Sequence, residues 1–127
     1  MSSWPGAISA ITLFAEDVPA MKAFYQRVFD SSVVFEDDVS AVFKFGETLI
    51  NVLQVSEAPE LIAPAPVASP DAGARLQFTL TVDDVDATAD ELRSRGVELL
   101  NGPVDRPWGI RTAAFRDPAG HVWEIAT

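Results

Sequence analysis

The last stretch of the chain, Arg111-Thr-Ala-Ala-Phe-Arg-Asp-Pro-Ala-Gly-His-Val-Trp-Glu-Ile-Ala-Thr127, holds a carboxylate in a setting that asks for explanation. Glu124 stands among Val122, Trp123 and Ile125, in the second arm of a β-prone hairpin whose turn is Asp117-Pro118-Ala119-Gly120. Such a glutamate is an outward-facing edge charge, a buried charge with a partner, or a functional acid. The first is the ordinary case, because glutamate is rarely buried unless paired. His121, the one histidine of the chain, precedes Glu124 by three residues, so a regular strand points the two to opposite faces. It is expected to be a structural residue beside the turn. Trp123 shares phase with His121 and Ile125 and is expected in the core.

Composition narrows the chemistry. With no cysteine among 127 residues, disulfides, thiolate metal sites and a cysteine nucleophile are excluded. A formal net charge of −10 and a pI near 4.3 argue against nucleic acid, since there is no basic stripe to replace phosphate counterions. The same charge suits a cationic ligand if it is focused in a cleft, although a merely solvated acidic surface is the simpler reading. The start, Met1-Ser-Ser-Trp-Pro-Gly6, lacks a basic and then apolar signal pattern, and no apolar run is long enough to span a bilayer, so a soluble cytoplasmic protein is expected.

The elements that must position Glu124 follow from periodicity. Ala7 to Ala15 reads as a strand with Ile11, Leu13 and Ala15 on a core face and Ala10, Thr12 and Phe14 on the other. Asp17 and Pro19 open a helix whose stripe is Met21, Phe24, Tyr25 and Val28. Strands are expected over Ser32 to Glu36, Ser40 to Phe45 and Thr48 to Val55. From Ser56 to Gly73 the composition turns to proline, alanine, serine and acid, with Pro59, Pro64, Pro66 and Pro70 expected to prevent regular structure in an exposed linker. The pattern then restarts: a strand over Arg75 to Val82, a helix from Asp83 and Asp84 to Arg95 closed by Gly96, and strands over Val97 to Leu100, Ile110 to Arg116 and His121 to Ala126.

The restart is visible residue by residue. Ile11-Thr-Leu-Phe-Ala-Glu-Asp-Val18 lies over Phe78-Thr-Leu-Thr-Val-Asp-Asp-Val85. One domain over residues 1–127 is expected, made of βαβββ modules at 7–55 and 74–127 joined by the linker 56–73. Superposing the halves sets Ala10 opposite Gln77 and Asn51 opposite Glu124. Gln77, Thr79 and Thr81 share one strand face, as do Leu49, Asn51 and Leu53, and Val122, Glu124 and Ala126. Polar side chains converging in an otherwise apolar cleft are the usual form of a small-molecule site.

With these features the chain resembles the vicinal oxygen chelate superfamily, which includes glyoxalase I, extradiol dioxygenases, fosfomycin-modifying enzymes and bleomycin-resistance proteins. The resemblance rests on Ile11 to Val18, Phe24 and Tyr25, Phe78 to Val85, and Phe115-Arg-Asp-Pro-Ala-Gly-His-Val-Trp-Glu124. It implies an α+β fold in which two βαβββ modules form a curved, barrel-like cleft of mixed sheet, often completed by a second subunit. Metal-dependent members hold a divalent ion at the positions matching Ala10, Asn51, Gln77 and Glu124. Here Ala10 offers no donor, Asn51 a neutral amide, and only Gln77 and Glu124 match family ligands. Two good ligands fall short of a well-held catalytic zinc, and an oxygen-only ion helped by Asn51 would be held weakly.

Pro107-Trp-Gly109 and Arg111 are similar to the metal-free, drug-binding branch of bleomycin- and mitomycin-resistance proteins. There, resemblance implies, ligands sit between aromatic side chains in grooves made by two subunits. Trp108 is then a stacking wall, or else a plug at a dimer seam or barrel end. Phe14 is a second wall or part of the core between modules. Arg111 anchors an anion or pairs internally with Asp105 or Asp117, the internal pair being the simpler reading.

The leading expectation is therefore a metal-independent small-molecule binding protein, without a cofactor, working as a homodimer with Phe14, Asn51, Gln77, Trp108, Arg111 and Glu124 around the ligand. The alternative is an enzyme of the superfamily, a lyase, isomerase or dioxygenase, with Gln77, Glu124 and Asn51 holding a divalent ion, or with Glu124 as a general base. A third reading is a non-catalytic partner subunit.

Overall fold

The computed structural model describes residues 5–127, so Met1 to Trp4 of the expected leaderless start lie outside it. The chain divides into two compact units, Met1–Val67 and Ala68–Thr127. In the first, β1 (Ala10–Ala15), α1 (Val18–Phe29), β2 (Val33–Glu36), β3 (Ser40–Phe45) and β4 (Thr48–Gln54) make a four-stranded sheet in the order β1-β4-β3-β2. β1 runs parallel to β4 and the other neighbours are antiparallel. The helix begins where the Asp17 carboxylate accepts the Ala20 N–H at 3.0 Å, with Pro19 in its first turn, where no backbone donor is missed. It ends on Asp30, whose left-handed backbone (φ 52°) an aspartate tolerates better than most residues.

Met21, Phe24, Tyr25 and Val28 are the buried stripe of α1, as their spacing predicts. They meet Leu13 and Ala15 of β1, Ala41 and Phe43 of β3, and Ile50 and Val52 of β4, all buried. Tyr25 is at the centre, with the Phe29 and Phe43 rings each 5.2 Å away, tilted or edge-on as aromatic pairs prefer. Each such side chain contributes about 1.5–3 kcal/mol by leaving water.

The second unit repeats the plan. β5 (Gln77–Thr81), α3 (Val85–Ser94), β6 (Leu99–Asp105), β7 (Arg111–Arg116) and β8 (Val122–Ala126) form a sheet in the order β5-β8-β7-β6, with β5 parallel to β8. Asp84 caps α3 by accepting the Ala87 N–H at 3.0 Å, the counterpart of Asp17 and Ala20. Beyond the helix, Gly96 takes φ +84° and lets the Val97 N–H return to the Leu92 carbonyl at 3.0 Å. Val85, Ala89 and Leu92 are buried on the helix side, Ala113, Phe115, Trp123 and Ile125 on the sheet side.

The strands form two four-stranded sheets, one from each βαβββ module, as the duplication predicts. Two expectations change. The linker is not without regular structure: it holds 3-10 turns at Val55–Glu57 and Pro70–Ala72 and a single helical turn, α2 (Pro59–Ile62). Pro59 and Pro70 sit in the first turns, where proline starts rather than breaks a helix. β6 runs on to Asp105 instead of stopping near Leu100, because β6 is an edge strand and an edge tolerates Pro103. Among the described residues no helix is long and apolar enough to cross a membrane.

Candidate functional site

Parallel pairing of β5 with β8 sets Thr79 beside Glu124 and Gln77 beside Val122. Both strands turn their other residues, Phe78, Leu80, Trp123 and Ile125, towards α3, so the face opposite the helix carries Gln77, Thr79, Thr81, Val122, Glu124 and Ala126. The Thr79 hydroxyl donates to Glu124 Oε1 at 3.0 Å. Gln77 lies on the same face one strand repeat away and is exposed, while Glu124 is half-buried. On its other side Glu124 faces Ala114 of β7, a methyl group with nothing to donate. The carboxylate is thus held by one hydroxyl, with no cation of this unit against it.

The same face continues to the β6 edge. Thr112 pairs with Ala126, and its hydroxyl accepts from Arg106 Nε at 2.9 Å. Arg106 Nη2 reaches Asn101 Oδ1 at 3.3 Å. Arg106 closes the turn between β6 and β7, where its N–H donates to the Ile110 carbonyl at 2.7 Å and its carbonyl accepts the Gly109 N–H at 3.0 Å. Trp108 stands at the tip of that turn, 70% exposed.

In the first unit Ala10, Thr12 and Phe14 share a face with Leu49, Asn51 and Leu53. Asn51 pairs with Thr12 as Glu124 pairs with Thr79, and its amide Nδ2 lies 3.4 Å from the Thr12 hydroxyl. The duplication therefore reaches a side-chain contact: a threonine on the first strand meets a polar side chain on the last. In one unit the amide donates to the hydroxyl; in the other the hydroxyl donates to a carboxylate. Ala10 is exposed at the strand start and Phe14 is half-buried opposite Leu53.

Arg111 is on the α3 side of its sheet, away from the Glu124 face. It pairs internally, but with Asp86 of α3 (Nε to Oδ2 2.8 Å, Nη2 to Oδ1 2.9 Å) and with Asp105 (3.0 Å), not with Asp117. The hydrogen bonds from Arg111 hold the Asp86 carboxyl below the usual carboxylate range, and the bonds to Asp86 and then Asp105 hold the guanidinium in its charged form. This fork is a strap between α3 and β7. Asp117 serves His121 instead: its buried carboxylate accepts from the Ala119 and His121 N–H groups at 3.1 and 3.0 Å, contacts His121 Nδ1 at 3.0 Å, and accepts from Trp123 Nε1 at 3.2 Å.

Among the described residues no three His, Asp or Glu side chains gather as a ligand cluster. On the Glu124 face one carboxylate and one primary amide stand where three protein donors are the norm. Two residues on this face escaped the sequence reading. Thr79 was placed on Gln77's face by alternation, but only the register shows that it meets Glu124. Arg106 gave no signal beyond its place in the Asp105-Arg-Pro-Trp-Gly109 segment.

A family model described as Glyoxalase/Bleomycin resistance protein/Dioxygenase superfamily matches residues 7–125. The chain belongs to this superfamily. A curated relative is the uncharacterized protein YraH of Bacillus subtilis, 36% identical over 87 residues, covering 67% of this chain and 68% of that protein. Solved structures of the glyoxalase fold align over nearly the whole chain. A glyoxalase/bleomycin resistance protein/dioxygenase from Nocardioides has a TM-score of 0.87 at 22% identity, over 99% of this chain and 85% of that one. A glyoxalase-related enzyme from Fulvimarina pelagi has a TM-score of 0.82 at 25% identity, over 96% and 88%. A lactoylglutathione lyase from Agrobacterium tumefaciens has a TM-score of 0.73 at 27% identity, over 96% and 93%.

Proposed function

We propose that this glyoxalase-superfamily chain is a metal-independent small-molecule binding protein of the resistance or sequestration type, acting as a homodimer on a planar guest with a cationic group. The observation that carries the reading is Glu124: a half-buried carboxylate braced by Thr79 and accompanied by Gln77, with no second acid or imidazole beside it on its face. A lone oriented carboxylate suits an ammonium or amidinium group, which gains a charge-assisted hydrogen bond there. The exposed Trp108 ring offers a surface for stacking, strengthened when the guest is positively charged. Exposed apolar residues on the edge strands, Val34 and Phe35 of β2 and Leu100 and Val104 of β6, support a partner subunit.

A thermal-shift screen of planar, cationic antibiotics tests this. A true ligand present at about 100 times its Kd stabilises the fold by about 2.7 kcal/mol, and Glu124→Gln removes that stabilisation. A screen with no stabiliser, or a stabiliser indifferent to Glu124→Gln, overturns the reading.

The lactoylglutathione lyase and the glyoxalase-related enzyme among the similar structures favour a second reading, a lyase of the same superfamily in which Gln77 and Glu124, helped by Asn51, would hold a divalent ion. Elemental analysis of protein purified without chelator separates the two. A stoichiometric divalent metal removed together with activity by Glu124→Gln or EDTA selects the enzyme.

A further inference from the structure

We infer that Glu124 is a one-point acceptor approached from its β5 side, so that the site takes a primary ammonium in preference to a forked amidinium, with Thr79 as the positioning residue that sets the preference. The inference rests on the binding reading above, which admits either kind of cation, and chooses between them. The two flanks of Glu124 differ. Ala114 beside it on β7 is buried, and so are Val122 and Ala126 on either side of it along β8. Towards β5 the face is open, with Gln77, Thr79 and Thr81 all exposed. A guest therefore reaches the half-buried carboxylate over Thr79.

Thr79 is already bonded there. Its hydroxyl donates to Oε1 at 3.0 Å, and an ionised carboxylate only accepts, so the hydroxyl proton is committed to that bond. Among the described residues no other hydrogen bond or ion pair reaches Glu124, which leaves Oε2 to accept. Arg116 is exposed on the same face, diagonal to Glu124, but it makes no bond to the carboxylate and does not neutralise it. A forked cation gains by laying two parallel N–H groups on the two oxygens of a carboxylate. At Glu124 one of those oxygens is taken on the side of approach. The fork then binds through one N–H and holds the other in a half-buried place short of an acceptor, which costs free energy. A primary ammonium suffers no such loss. It gives one N–H to Oε2 and turns the others outwards, to water or to the lone pairs that the Thr79 oxygen still offers.

Benzylamine and benzamidine carry the same charge on the same ring and differ in the shape of the cation. Titrated into the full chain and followed by amide and side-chain NMR shifts, benzylamine is expected to bind at least about tenfold tighter than benzamidine. Glu124→Gln removes the binding of both. Thr79→Val frees Oε1 and cancels the preference by strengthening benzamidine, whereas Thr79→Ser keeps the hydroxyl and with it the preference. Benzamidine bound as tightly as benzylamine by the wild-type chain, both through Glu124, overturns the one-point acceptor and leaves the cationic reading standing. A preference that survives Thr79→Val overturns the inference as well, since Thr79 then does not set it. Binding of neither probe, or binding indifferent to Glu124→Gln, overturns the inference and the cationic reading together. Thr79 is exposed on a strand, where valine is well accommodated, and melting temperatures check each variant. A gain of benzamidine affinity in Thr79→Val cannot come from lost folding.

Discussion

Asp117 is the most heavily used side chain of the terminal hairpin. The residue is 4% exposed and its carboxylate collects two backbone N–H groups, the His121 imidazole and the Trp123 indole, so removing it strands several donors in a covered place. Asp117→Ala is expected to cost about 3 kcal/mol in urea unfolding followed by tryptophan fluorescence. A loss below about 1 kcal/mol would show that water replaces the carboxylate. The phases of His121 and Trp123 were legible from strand alternation, and so was the turn between Asp117 and Gly120. What Asp117 does was not legible, because contacts from residue 117 to residues 121 and 123 depend on how the turn folds back, which periodicity does not encode. The same limit hid the true partner of Arg111, since Asp86 comes from a helix distant in sequence.

Gly102 shows the corresponding limit for an element. The register of β6 against β7 shifts between Asn101 and Val104, and Gly102 within that bulge takes φ +82°. A side chain there would strike the Thr112 carbonyl oxygen and come within 2.8 Å of Ala113 Cα, both backbone atoms that cannot step aside. Gly102→Ala should cost about 2–4 kcal/mol, whereas Gly46→Ala, at φ +60° with open space around it, should cost only about 1 kcal/mol from backbone strain. Equal losses in chemical denaturation would sink the argument from close approach. Asn101-Gly-Pro103 reads in a sequence as a strand's end, and only an edge position lets the strand continue through it. The helices, by contrast, were marked by local chemistry: Asp17 as a cap, Asp83 and Asp84 as a start and Gly96 as a stop are each decided within a few residues.

At the scale of the molecule, the repeat was legible because it is written twice in the same alphabet, and the two sheets follow from it. The acidic excess also acts on the whole. Acidifying from neutral pH first relieves a formal charge of −10. Further acid then removes stability supplied by carboxylates whose folded pKa lies below the unfolded one: Asp86, held by Arg111, and Asp37, held by the Val39 N–H and the Ser40 hydroxyl. Their contribution is complete above the ordinary aspartate value of 3.8 and disappears as pH falls through their lower folded values. Thermal unfolding between pH 6 and pH 2 should show this acid limb, and Asp86→Asn should make it shallower. An unchanged limb would mean that Asp86 takes no part in it.

The second unit contains two indoles in opposite surroundings, Trp108 70% exposed and Trp123 2% exposed. One is a lamp in water and the other a lamp behind glass. With Trp4, the third indole of the chain, replaced by phenylalanine, a soluble quencher dims the first and spares the second, so occupancy at the hairpin tip and integrity of the interior can be watched as separate colours of one emission spectrum.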